Sequence, residues 1–385
     1  MKRETMTSRE RVIRTLKREP VDRAPIDLGS HTSTGISAFA YWNLRKHLGL
    51  PVNDIWVHDV VQVLGNVDED IRQRFHIDCI YLEPRWEKTV RWSPRAGYEF
   101  SIPATMKPEK NAEGEWIVRQ GEQSMRMPAG GYFFDGAWLA NWGGCSEDEA
   151  IEVYGREAER IYKETPYATN FLGYTRGGGF GAFFGGLDRL VKMLEEPDAV
   201  KQEHRAWCDD YMRRAGKVID RMGKFVQLIT ICDDMGMQQG PMCSVAMVEQ
   251  FVAPYIKEFC SFVHRNSDIK VFMHNCGSIA PLIPTLIDCG VDVLNPVQIS
   301  AKNMDAADLK AKFGAKIVFW GGGCDTQNVL GSGTPQAVAE NVRKLVRAFK
   351  PGGGYVFNQV HNILGNVPPE NIVAMLDAAY EESWQ

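Results

Sequence analysis

A histidine and a cysteine two positions apart, His274 and Cys276, and a distant cysteine, Cys324, in the run Gly321-Gly322-Gly323-Cys324-Asp325, have the side chains that can hold one zinc ion. One imidazole and two thiolates suit a borderline-soft cation in tetrahedral geometry and leave a fourth position open, which is the arrangement of catalytic rather than structural zinc. Residues two apart on a strand face the same way, so His274 and Cys276 can share an ion. A lone His-x-Cys is commonly a satisfied histidine beside an inert thiol. Cys324, at the end of another strand-like run, turns the reading towards metal.

Strands must deliver these residues to one place. Eight segments have the apolar, β-branched character of buried parallel strands: 23–29, 78–84, 169–175, 225–234, 269–276, 291–297, 316–320 and 355–361. Amphipathic helices lie between them. One follows a Ser244 cap and is bent by Pro254. Another begins at Thr334-Pro335 and stops before Lys350-Pro351-Gly352, and a third follows Pro368-Pro369. The alternation predicts one α/β domain over residues 1–385, a (β/α)8 barrel with a helical lead-in over 1–22 and a β-rich insertion after the second strand, 85–136, placed to act as a lid. Inward side chains of alternate barrel strands share a layer, which predicts Cys324 in register with His274.

Function in such a barrel gathers at the carboxyl ends of the strands. Those ends carry His31, Glu83, Arg176, the pair Asp233 and Asp234, His274 and Cys276, Asn295 and Gln298, Cys324 and Asp325, then Asn358, Gln359 and His361. Asp233 and Asp234 read as a catalytic acid pair, a fourth metal ligand, a partner orienting His274, or simply a helix cap. His361 either takes part in catalysis or hydrogen-bonds its own loop. Glu83, Asn295, Gln298 and Asp325 are the candidate substrate contacts. Glycine clusters at 177–186 and 321–323 would let a flat ligand or partner approach the backbone, and turn geometry explains them nearly as well. No glycine-rich run has the phosphate-cradling pattern of nucleotide sites.

The net charge of −5 is spread through the chain, which argues against nucleic acid or an anionic membrane as partner. No stretch has the length and apolarity of a membrane span or the form of a secretory signal, so a cytoplasmic location is expected. Thiols stay reduced there. Cys79, Cys208, Cys232, Cys243, Cys260 and Cys289 lie in apolar or helical patterns and read as small core residues.

Asp233-Asp234-Met235-Gly236-Met237-Gln238, Met273 to Ile279, Val293-Leu294-Asn295-Pro296-Val297-Gln298, Phe319 to Gly323 and Val360-His361-Asn362-Ile363 resemble the uroporphyrinogen decarboxylase superfamily, as does the opening from Ser8-Arg9-Glu10-Arg11 to Arg23-Ala24-Pro25. The resemblance covers nearly the whole chain outside the insertion and implies a single barrel. The superfamily holds two chemistries, metal-free decarboxylation of porphyrinogens and zinc-dependent methyl transfer involving a corrinoid protein. His274, Cys276 and Cys324 match the His-x-Cys and distant Cys of the methyltransferases. The decarboxylases carry Arg-Gln-Ala-Gly-Arg after the first strand, where this chain reads Ile26-Asp27-Leu28-Gly29-Ser30-His31. Without those guanidinium groups, several substrate carboxylates lose their bidentate partners.

The reading implied is a zinc methyltransferase that moves a methyl group between a corrinoid (cobalamin) protein and a small methyl ether or thiol. Aromatics Tyr132, Phe133, Phe134, Trp138 and Trp142 favour the larger organic substrate. The alternatives are a carboxy-lyase in which Asp233 or Asp234 meets pyrrole nitrogens, and a non-catalytic corrinoid or tetrapyrrole carrier. A homo-oligomer remains open.

Overall fold

The computed structural model describes residues 3–84, 88–137, 139, 145–173 and 180–384. Arg176, Trp138, Trp142 and glycines 177–179 lie outside the described residues. Seven strands form one parallel sheet, adjacent in the order Cys79–Tyr81, Ala168–Phe171, Leu228–Cys232, Lys270–His274, Val293–Asn295, Val318–Trp320 and Tyr355–Val356. Both edges meet the segment around Ile26. Asp78 N donates to Ile26 O at 2.7 Å on one side; on the other, Asp27 N donates to Phe357 O at 2.8 Å and Phe357 N to Pro25 O at 2.8 Å. The sheet therefore curls round on itself, and the first expected strand joins it by the single bridge of Ile26 to Phe357 rather than a full ladder.

Alternation sorts the side chains into two layers. Leu228, Phe272, Val293, Val318, Trp320 and Val356 share one cluster inside the curl, closed at the amino-terminal end by Val12 and Leu16 of the helix Ser8–Leu16. Ile229, Ile231, Val271, Met273, Leu294 and Phe319 instead face the helices. Helix starts are set by local chemistry. Thr334 Oγ1 accepts from Ala337 N, Ser244 Oγ from Met247 N, and Ser146 with Glu149 forms a reciprocal capping box. At Pro254 the expected bent helix is two, Val245–Phe251 and Ala253–Asn266, because proline has no N–H for the turn before it.

A buried ion network fastens the lead-in beneath the strands. Asp78, with no exposed surface, accepts from Arg11 Nη1 at 2.6 Å, Arg23 Nη1 at 2.7 Å and the Ile26 amide at 2.8 Å. Arg11 also grips Asp22 through Nε at 2.7 Å and Nη2 at 2.9 Å.

The insertion is β-rich and forms two small sheets. Thr89–Trp92 pairs antiparallel with Phe100–Pro103, which runs parallel to Ile55–Asp59, a strand outside the barrel that the sequence pattern did not single out. Glu109–Lys110, Trp116–Gln120, Gln123–Met127 and Asp135–Gly136 make the second. Its aromatics differ from the expectation. Phe134 is buried against Trp92, and Tyr132 packs edge-on to Phe39 with the Arg95 guanidinium 4.5 Å from its ring centre. They pack the insertion on itself and on Phe39 of the helix Ala38–His47, and of these three described aromatics Phe133 is the exposed one.

Candidate metal centre

Lys270–His274 runs inward-facing at Phe272 and again at His274, its last residue. The His274 ring is fixed by the neighbouring strand: Nδ1 lies 2.8 Å from Asn295 Oδ1. Asn295 donates its own amide to Trp320 O at 3.0 Å, which settles which end is the carbonyl. A carbonyl only accepts, so Nδ1 carries a proton, and in the neutral tautomer Nε2 keeps its lone pair. That lone pair faces Cys276 Sγ at 3.4 Å.

Cys276 is held by the loop beyond Leu228–Cys232. Asp234 Oδ1 accepts from the Cys276 amide at 2.7 Å and lies 3.8 Å from His274 Nε2. The two loops touch backbone to backbone. A Cβ on Gly277 would sit 2.4 Å from the Gly236 carbonyl carbon, and one on Gly236 would sit 2.3 Å from Cys276 O, so both positions need glycine.

The third member is His361. Its ring stands 5.5 Å from that of His274, and the ligand atoms of His274, Cys276 and His361 all lie within 4.8 Å of one another. His361 adopts a positive φ of 61°, in a loop tied down by Asn362, which accepts from Gly35 N and donates to Thr32 O. Burial, with His274 alongside, pushes the His361 imidazole down to about 4, so it is neutral at pH 7. Burial and the nearby Asp234 carboxylate hold the Cys276 thiol well above its ordinary range.

Cys324 is not among the side chains whose ligand atoms come within 4.8 Å of one another. Val318–Trp320 ends before it, and the next two residues take positive φ, 131° at Gly321 and 64° at Gly322, so the alternation that would have turned Cys324 inward is lost. Its fully buried side chain belongs to the apolar cluster between sheet and helices. Gly321 is required where it is, since a Cβ would lie 2.1 Å from Pro296 O.

The other expected site residues serve mainly as supports. Asp233 accepts from Phe184 N at 2.8 Å and Gly185 N at 3.4 Å, holding the glycine-rich segment over the strand ends; burial pushes its carboxyl up to about 8 despite those donors. Gln298 Oε1 accepts from Gly277 N at 2.9 Å. Asp325 caps the turn Thr326–Leu330 by accepting from Gln327 N and Asn328 N. Asn295, expected as a substrate contact, hydrogen-bonds and orients His274. Glu83 receives the Tyr154 hydroxyl and lines a cavity of about 790 Å³ with Tyr81, Arg45 and Arg156. Ser33 escaped the sequence reading: its hydroxyl donates to Asn295 Oδ1 at 2.8 Å and meets His31 Nδ1 at 2.6 Å.

Two imidazole nitrogens and a sulfur at this separation suit a borderline-soft divalent cation, with His274 locked from behind by a hydrogen bond. The uroporphyrinogen decarboxylase (URO-D) family model matches residues 189–382, the stretch carrying all three side chains. The chain belongs to the URO-D family. Among curated family members, it is 28% identical over 149 residues to uroporphyrinogen decarboxylase of Pseudomonas fluorescens, covering 38% of this chain and 40% of that one. The Psychromonas ingrahamii enzyme is 34% identical over 123 residues, covering 32% of each. The matched stretch therefore spans well under half the length of these relatives. Among solved structures, a methyltransferase from Methanosarcina mazei superposes with a TM-score of 0.58 at 16% identity, covering 98% of this chain and 99% of that one, so the fold is shared along nearly the whole length. No described helix is long and apolar enough to cross a membrane.

Proposed function

We propose that this URO-D family member is a zinc-dependent methyltransferase that moves a methyl group between a small organic substrate, a methyl ether or thiol, and a corrinoid carried by a separate protein. The observation that carries the reading is the Asn295 hydrogen bond to His274, which leaves Nε2 bare and facing Cys276 beside a third donor, His361. His274, Cys276 and His361 are the residues that would hold the ion. When bound, zinc would act as a Lewis acid on the substrate's sulfur or oxygen.

The chain's own groups do the rest. Asn295 keeps the His274 tautomer, Asp234 holds the Cys276 backbone, and Asp233 anchors the 184–185 backbone beside the mouth. A cytoplasmic location fits the reading.

A second reading, a carboxy-lyase, is favoured by the decarboxylase relatives and by the raised Asp233 carboxyl, which could act as a proton donor near neutral pH. Elemental analysis and anaerobic assay separate the two. Zinc in the purified protein with methyl transfer to cobalt(I) supports the first. Metal-free protein that converts uroporphyrinogen to coproporphyrinogen replaces it with the second.

A further inference from the structure

Of the three candidate ligands, His361 stands furthest from a strand. His274 ends Lys270–His274, whereas Tyr355–Val356 stops well short of His361. Where its imidazole points therefore depends on what holds its loop. On one side that loop is fastened to the chain leading into the helix Ala38–His47: Ile363 N donates to Gly35 O at 3.0 Å, and Ser37 N donates to Ile363 O at 2.8 Å. On the other side it meets the insertion.

The meeting point is Gly365. A Cβ there would lie 2.2 Å from Cδ1 of Tyr132 and 2.8 Å from its Cγ and Cε1. Gly365 is not among the glycines of positive φ, so the aromatic ring, and not the backbone conformation, excludes a side chain. The ring has little room to retreat. It stands edge-on to Phe39, centroids 5.2 Å apart, and the Arg95 guanidinium lies 4.5 Å from the centres of both rings. Arg95 Nη2 also donates to Gly130 O at 2.9 Å and to Gly131 O, which fixes the turn that carries Tyr132. A second tie runs beside the first. Phe134 N donates to Val61 O at 2.7 Å, and the next residue, Gln62, accepts through Oε1 from Asn362 Nδ2 at 2.8 Å, directly after His361.

We propose that Tyr132 is a positioning residue for the metal centre: its ring, seated on Gly365, sets the loop that presents His361, so the insertion braces one of the three ligands. The inference rests on the metal-binding reading and adds to it a control point in a different part of the chain. Tyr132 and Gly365 lie in none of the motifs that carry the family resemblance, and the role follows only from their contact. A ligand on a loop loses affinity for its ion when the loop is free to wander, since ordering it then draws on the binding energy.

The test pairs amide hydrogen exchange on the metal-free full-length protein with zinc affinity, read by competition against a chromophoric chelator. Tyr132→Ala and Gly365→Ala should each speed exchange across residues 361–367 and weaken zinc about tenfold, the usual scale for losing a ligand's support. Tyr132→Phe keeps the ring face and should match wild type in both readouts. Gly365→Ala adds one methyl group and opens no cavity, so it carries the test if Tyr132→Ala does not fold. The double variant should be no worse than the worse single one, because both break the same contact. Unchanged exchange at 361–367 in the single variants, additive losses in the double variant, or a Tyr132→Phe as damaging as Tyr132→Ala overturns the proposal. Wild type that binds no zinc removes the metal reading instead, and the exchange measurement, which needs no metal, still decides whether Tyr132 holds the loop.

Discussion

His274 and Asn295 are joined side chain to side chain across adjacent strands, Nδ1 to Oδ1 at 2.8 Å, at a position where the strand register also pairs their Cα atoms. Sheet geometry thus sets the tautomer of a candidate ligand. Removing the carbonyl frees the ring to turn and to move its proton. Asn295→Ala is expected to weaken zinc binding by about 10–100-fold, the usual effect of losing such a support, while Asn295→Asp retains an acceptor and loses less. Competition with a chromophoric chelator measures both.

Cys276→Ser and Cys324→Ser should separate cleanly. The first removes the only sulfur in the proposed set and should abolish stoichiometric zinc. The second lies in the outer apolar layer and should leave zinc content unchanged, at a modest cost in stability. Equal zinc loss in the two variants would show that the 321–324 turn rearranges around the ion.

Gly277→Ala tests the loop contact. The residue has φ of 87°, and its Cβ would press on the Gly236 backbone. Left-handed strain alone costs about 1–2 kcal/mol, and the clash adds to it. Urea unfolding should show the loss, with reduced zinc occupancy in the folded fraction.

The ion network under the sheet should govern the fold rather than the chemistry. Asp78→Ala leaves Arg11 and Arg23 buried without their shared carboxylate, a change expected to cost about 3–5 kcal/mol. Calorimetry reads it as a large fall in Tm, with zinc stoichiometry retained below the transition.

Acid should expose the same network. Burial would raise the Asp22 carboxyl, but Arg11 and the Thr5 amide outweigh it and hold Asp22 well below its ordinary 3.8. A depressed carboxyl contributes stability that is fully present above that value and is lost as pH falls through the folded one. Wild type should therefore lose stability on acidification below about pH 4. Asp22→Asn should be less stable at neutral pH and show a shallower acid dependence in urea titrations between pH 5 and 2. Parallel curves would remove Asp22 from the account.

Much of the architecture was legible because buried parallel strands are continuous apolar runs. Seven of the eight segments overlap an observed strand, and the Thr334 and Ser244 caps are where the sequence puts them. Ile55–Asp59 was missed because it precedes the second barrel strand and pairs with the insertion, a contact no local pattern signals. At the site, His274 and Cys276 were readable from spacing two apart on a strand. Cys324, expected from strand parity, follows three glycines, two of which take positive φ, and lies outside the His274, Cys276 and His361 grouping. Ser33 lies far from the motif in sequence and meets it only through its side-chain hydrogen bond to Asn295.

The most direct test of the central claim is zinc K-edge X-ray absorption on protein reconstituted with one equivalent of zinc. The account predicts one ion per chain, with a first shell of one sulfur near 2.3 Å and two imidazole nitrogens near 2.0 Å, roughly the usual distances for such ligands, plus one light exchangeable ligand. A shell with two sulfurs, or protein that binds no zinc, would contradict it.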